Sequence, residues 1–137
     1  MATLTQVRGD IATRLSKIPG LNVWPEIEDQ IEAPAAVVGM PEDFEYNHTF
    51  GPNGVEYSIP VRLYATRIDS GEAQRSLDIY IAPTGDHSVK RAIEDSTVTI
   101  DSDWHIVNVP GGGEFGVYQV GGVDYLGVEI VVEVLAE

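Results

Sequence analysis

Gly113 to Leu135 reads G-E-F-G-V-Y-Q-V-G-G-V-D-Y-L-G-V-E-I-V-V-E-V-L, and this stretch decides the fold. Strand-forming runs flank Gly121-Gly122 on both sides. Glycines supply the positive φ that a two-residue primed turn requires, so the stretch predicts a β-hairpin. The second arm alternates strictly. Leu126, Val128, Ile130, Val132 and Val134 point one way, and Gly127, Glu129, Val131 and Glu133 point the other. Fully burying such an aliphatic side chain is worth roughly 1.5–3 kcal/mol before entropy is counted. The pattern predicts a central strand with one covered face, Val128, Ile130 and Val132 forming the floor of the core.

Upstream of this hairpin, Pro110-Gly111-Gly112-Gly113 reads as a flexible loop. Two short candidate strands precede it, Thr97 to Ile100 and Trp104 to Val109, with Asp101-Ser102-Asp103 turning between them. A second hairpin is expected from Phe44–Thr49 and Val55–Arg67, joined by the turn-rich Phe50-Gly51-Pro52-Asn53-Gly54. In its return arm Val55, Tyr57, Ile59, Val61, Leu63 and Ala65 alternate with Glu56, Ser58, Pro60, Arg62, Tyr64 and Thr66. Pro60 has no N–H to donate to a ladder, which predicts an edge or a bulge in that arm. A long edge must meet another chain or be protected.

The helices are read from period 3.6. Leu4, Val7, Ile11, Leu15 and Ile18 recur at spacings of three and four, predicting an amphipathic helix from Thr3 that ends at Pro19-Gly20. Asp69 to Ile81 reads as a helix with Ala73, Leu77, Tyr80 and Ile81 on its apolar face. Ser88 is placed to cap a short helix through Glu94. Leu21–Trp24 and Ala35–Met40 read as short strands, separated by the acidic connector Pro25 to Pro34. Hairpins outnumber βαβ units. The expected fold is therefore one α+β domain over residues 1–137, a mainly antiparallel sheet with two hairpins and helices packed on one face.

Composition narrows the function. Of 137 residues, 43% are apolar, enough for a core. Cysteine is absent, so no disulfide framework or thiolate metal site forms. No apolar run approaches the roughly 20 residues of a membrane span, and Met1-Ala2-Thr3-Leu4 shows no secretory pattern. Eight Lys and Arg stand against 22 Asp and Glu, a net charge of −14. Such a surface repels phosphate backbones and disfavours nucleic-acid binding. It suits either solubility or a wall past which DNA slides.

No catalytic motif emerges. His48, His87 and His105 lie far apart and in no zinc-binding spacing. Asp101 and Asp103 begin like a calcium loop, but Ile106 stands where glycine is needed and Gly112 where glutamate is needed. Gly111-Gly112-Gly113 is followed by no Lys-Ser or Lys-Thr, and no serine sits in a G-x-S-x-G elbow. Trp24 and Trp104 read as core or interface anchors. No metal, cofactor or catalytic residue is expected.

Several segments together carry a family resemblance. They are Ile18-Pro19-Gly20-Leu21, Pro34-Ala35-Ala36-Val37-Val38-Gly39, and Tyr57 to Ala65 (Y-S-I-P-V-R-L-Y-A). Leu77 to Ile93 (L-D-I-Y-I-A-P-T-G-D-H-S-V-K-R-A-I) and Tyr118 to Val134 complete the set. In this order they resemble the tail-terminator, or tail-completion, proteins of long-tailed bacteriophages, in the form found among actinobacterial phages. The resemblance implies a virion protein of the tail–neck junction, made in the bacterial host cytoplasm. It implies a homo-hexameric ring that caps the tail-tube protein, ends its polymerisation and docks the head connector. Genomic DNA passes through the bore without specific binding, and no catalytic residue is carried over. Phe50, Asn53, Arg62, Arg67, Glu129 and Glu133 are the candidate interface or lumen residues, with arginines pairing either across subunits or locally with acids such as Glu129 or Glu133. A head-to-tail connector or stopper is the alternative within this class. A small hydrolase using acidic residues, or a monomeric module for a basic partner, are the alternatives outside it.

Overall fold

Gly121 and Gly122 take φ of 59° and 80°, the left-handed pair that a type I′ turn demands, and the expected C-terminal hairpin closes on them. A computed structural model describes residues 4–25, 31–32, 34–46, 54–67, 72–94 and 104–136. In chain order its elements are α1 (Leu4–Leu15), β1 (Asn22–Trp24), β2 (Ala35–Val38), β3 (Asp43–Tyr46) and β4 (Val55–Arg67). They continue with α2 (Glu72–Ile81), α3 (Val89–Glu94), β5 (Trp104–Val120) and β6 (Val123–Ala136). Thr97–Ile100, the Asp101–Asp103 turn, Phe50–Asn53 and Asp69 lie outside the described residues.

The strands form one sheet in the order β1-β2-β4-β6-β5, with β3 pairing β4 beside β2. Among the described residues only β1 and β2 run parallel; the other pairings are antiparallel. The fold is α+β. The strict alternation of β6 has the expected result: Val128, Ile130, Val132 and Val134 are buried on one face. There they join Ile59, Val61, Leu63 and Ala65 of β4 and Ala36 and Val38 of β2. Val7, Ile11 and Leu15 of α1, Leu77 and Tyr80 of α2, and Val89 and Ile93 of α3 close over them in the same cluster. The helices therefore cover one face, as their apolar spacing requires.

Two expectations are corrected. The first concerns Pro60. β4 is no edge: it pairs with β6 on one side and with β2 and β3 in succession on the other. Ser58 and Pro60 turn their carbonyls toward that second side, accepting the N–H groups of Glu42 and Gly39 at 2.8 Å each. The N–H that Pro60 lacks falls on the same side, where β2 has ended and β3 has not begun. A central strand thus tolerates proline because its neighbour changes there.

The second correction is Pro110–Gly113, which is not a loop. It lies inside β5, a single strand of 17 residues. Register shifts fall between Trp104 and Ile106, between Asn108 and Gly111, and between Gly113 and Gly116. These irregularities absorb Pro110 and a positive φ of 55° at Glu114. Gly112 is there for closeness. A Cβ on it would stand 2.3 Å from the Glu129 carbonyl oxygen and 2.9 Å from Ile130 Cα.

The face away from the helices is not bare. Ala35, Val37, Tyr64 and Tyr125 form a second buried cluster there, joined by half-buried Trp24, Ile31, Tyr118, Val120 and Val123. The Tyr64 ring meets those of Tyr118 and Tyr125 at centroid distances of 5.8 and 6.0 Å. Among the described residues the aromatic patch covers one end of this face and leaves the other open.

Candidate assembly faces

At the open end the strand register places acids together. Glu45 of β3 stands opposite Glu56 of β4. In the adjacent row Asp43 faces Ser58, Ser58 faces Glu133, and Glu133 faces Asn108. Asp43, Glu45, Glu56, Ser58, Asn108 and Glu133 line a shallow depression of about 390 Å³. Like charges directly opposed on a sheet destabilise it. Here they also keep the β3 edge from pairing with a stray strand.

Arg62 and Glu129 face one another across β4 and β6, and the structure joins them. Arg62 Nε lies 3.5 Å from Glu129 Oε2, within one chain. The Arg62 guanidinium also lies over the Tyr118 ring, 5.2 Å from its centroid. Tyr118 Oη donates to the Glu114 carbonyl at 2.6 Å, which fixes the ring beneath the guanidinium. Burial pushes the Tyr118 hydroxyl above the usual tyrosine range, against the pull of Arg62. Glu129 is nearly buried, and Glu42 approaches it from the loop between β2 and β3. The hydrogen bond and charge of Glu129 push the Glu42 carboxyl above its usual 4.5. Three charged groups thus share one end of the aromatic patch.

Of the residues singled out from sequence, Arg62 and Glu129 meet, and Glu133 stands apart among the acids of the open end. Arg67 closes β4, its backbone opposite Tyr125 beyond an irregularity that starts at Tyr64. Phe50 and Asn53 lie outside the described residues. Sequence reasoning missed Phe44, Tyr46, Phe115 and Val117, which are exposed despite their size. The signal for Phe44 and Tyr46 was their place on the outer arm of a hairpin, where only one neighbouring strand can cover them.

The helical side of the molecule carries most of the cations, interspersed with Asp10, Glu72, Asp78, Asp86 and Glu94. Arg8, Arg14, Lys17, Arg75, Lys90 and Arg91, six of the eight Lys and Arg residues, lie on the helices or in the turn after α1. Arg14 Nη1 donates to the Ile93 carbonyl at 2.5 Å, tying α1 to α3. Arg91 pairs with Asp86 at 3.4 Å, and Lys90 with Glu94.

Among the described residues no three His, Asp or Glu side chains converge on a point that could hold a metal ion. Among the same residues no helix is long and apolar enough to cross a membrane. The cavities between elements are small and open. One near the end of α1 is about 210 Å³ and is lined by Lys17, Ser88 and Arg91 among others. Another, on the aromatic face, is about 260 Å³ and is lined by Met40, Arg62 and Tyr64 among others. Neither assembles a nucleophile with a base. No protein-family model and no curated protein matches the chain.

Proposed function

We propose that this chain is a structural subunit of the ring that ends the tail tube of a long-tailed bacteriophage and joins it to the head connector. The observation that carries the reading is the acidic open end of the sheet, where Asp43, Glu45, Glu56 and Glu133 crowd one face. A ring built with this face toward its bore lines the channel with carboxylates. Phosphate backbones then pass without adhering, because like charge holds them off the wall. The segments that resemble tail terminators also supply the strands of this face: Tyr57–Ala65 lies in β4, and Tyr118–Val134 spans β5 and β6. The function is mechanical, and no reaction is assigned to the chain. Its partners are further copies of itself, the tail-tube protein, the head connector and DNA in transit. Its place is the virion, at the tail–neck junction.

Electron microscopy of particles assembled without this chain tests the reading. Tails of uncontrolled length beside unjoined filled heads are expected. Tails of normal length beside heads that lose their DNA would identify a stopper instead. Normal, infectious particles would overturn both.

A further inference from the structure

We propose that Met40 is an oxidation site whose sulfoxide braces α1 to the link between β2 and β3, so that oxidation tightens the fold. The inference stands apart from the ring reading.

Sulfur is scarce in this chain. Cysteine is absent, and Met1 and Met40 are the two methionines. A thioether inside the core would be shielded from oxidants, but Met40 is 57% exposed. The backbone on either side of it is fixed. Gly39 N–H donates to the Pro60 carbonyl and Glu42 N–H to the Ser58 carbonyl, at 2.8 Å each. Gly39 also lies close against Pro60, since a Cβ on it would stand 3.1 Å from Pro60 Cγ. Any change at Met40 therefore falls to its side chain, which is unbranched and turns about three bonds.

The partner of this methionine sets it apart. Arg8 Nη1 donates to Met40 Sδ at 3.1 Å. Arg8 follows the fully buried Val7 in α1, so a packed helix presents the guanidinium. Its Nε is buried and has no hydrogen-bond partner among the described residues. A guanidinium carries five donors and no acceptor, and a thioether sulfur is a weak acceptor. The contact thus joins a strong donor to one of the poorest acceptors in a protein.

Oxidation corrects that mismatch. With hydrogen peroxide as the oxidant, a sulfur lone pair attacks one peroxide oxygen. An S–O bond forms as the O–O bond breaks, sulfur is oxidised by two electrons, and the peroxide is reduced. The departing hydroxide takes the proton left on the transferred oxygen and leaves as water. The product is methionine sulfoxide, a polar group that disrupts a packed core. At Met40 the exposed side chain can swing back and set the new oxygen between sulfur and Arg8 without parting buried residues. The sulfoxide oxygen is a strong acceptor, and its hydrogen bond to a guanidinium is charge-assisted. A weak contact between α1 and the β2–β3 link becomes a strong one.

Dilute hydrogen peroxide on the folded chain, followed by tryptic digestion and mass spectrometry, tests the site. Met40 falls in the fragment Ile18–Arg62 and Met1 in Met1–Arg8, so the two are read separately. One added oxygen on Met40 is expected. The oxidised chain should then unfold at a higher urea concentration than the reduced one. Methionine sulfoxide reductases of both epimer specificities should return the midpoint to its starting value. In Arg8→Ala the rise on oxidation should vanish, and comparing two redox states of one variant cancels whatever the substitution itself does. Met40→Gln places an amide oxygen near the same point; it should raise the midpoint with Arg8 present and leave it unraised in Arg8→Ala. Met40 resisting peroxide until the chain is unfolded would overturn the site. A midpoint unchanged or lowered by oxidation, or an equal rise in Arg8→Ala, would overturn the brace.

Discussion

Glu94 of α3 accepts the backbone N–H of Val109 in β5 at 2.9 Å, while its other carboxylate oxygen accepts from Lys90 one turn back. A single side chain thus anchors the shortest helix to the edge strand. The Lys90 hydrogen bond, joined by that of Val109 and opposed by partial burial, holds the Glu94 carboxyl below its usual 4.5. A depressed carboxyl stabilises the fold above its unfolded pKa, and that contribution is lost as pH falls through the folded value. Glu94→Ala should lower stability at neutral pH by about 1–3 kcal/mol, because Val109 is buried and its N–H loses its acceptor. The deficit should shrink in urea titrations run below the usual carboxylate range. Glu94→Gln keeps an acceptor oxygen and should cost less at neutral pH. A deficit independent of pH would refute the anchoring role.

Ser88 holds the other end of α3. Its Oγ accepts the Arg91 N–H at 3.2 Å and donates to the Ala82 carbonyl at 2.5 Å, in a site only 1% exposed. Ser88→Ala removes the cap and leaves the Ala82 oxygen without this donor. A loss of about 0.5–2 kcal/mol is expected from the cap alone. Hydrogen exchange at the Arg91 amide should quicken more than exchange in the middle of β6. Equal quickening at both would mean that the substitution acts globally and that the cap is not the cause.

Gly112 tests whether β5 is one strand. Gly112→Ala drives a methyl group into the Glu129 carbonyl, whereas alanine at Gly111 or Gly113 meets nothing within 4 Å. Overpacking of this kind costs about 1–3 kcal/mol. The expected order in thermal unfolding is Gly112→Ala well below wild type, with the two neighbours close to it. Three equal melting temperatures would return this segment to the status of a loop.

These glycines also show where sequence reading stops. β6 was legible because a long alternating run reports its own face, and α1 because its apolar spacing does the same. Ser88 was legible because capping is a local matter. Pro110-Gly111-Gly112-Gly113 has the composition of a loop, and only the nearness of the β6 backbone explains why glycine belongs in a strand there. Pro60 misled for a related reason: its missing N–H matters only if a neighbour needs it, and the change from β2 to β3 removes that need. Arg62 and Glu129 were both singled out, but their pairing depends on a register between strands 67 residues apart. Phe44, Tyr46 and Phe115 look like ordinary core residues until the topology leaves them outside.

Arg62, Glu129 and Glu42 make the remaining prediction. The Glu129 side chain is 11% exposed and the Arg62 side chain 51%, so the pair is half open to water. Arg62→Met should therefore cost about 1 kcal/mol at neutral pH, the upper range for such a pair. Glu42 works in the opposite direction. Its carboxyl is raised by the hydrogen bond and charge of Glu129, so its favourable contribution is present below the usual 4.5 and is lost as pH rises through the folded value. Glu42→Gln supplies an amide donor to Glu129 at every pH. It should be slightly more stable than wild type at pH 7 and indistinguishable from it in acid. In the Arg62→Met background the same change should help more, because Glu129 then has no other partner among these groups. A double-mutant cycle at pH 7 measures that coupling. Strict additivity would show that the three groups do not act together, even though they share one end of the aromatic patch.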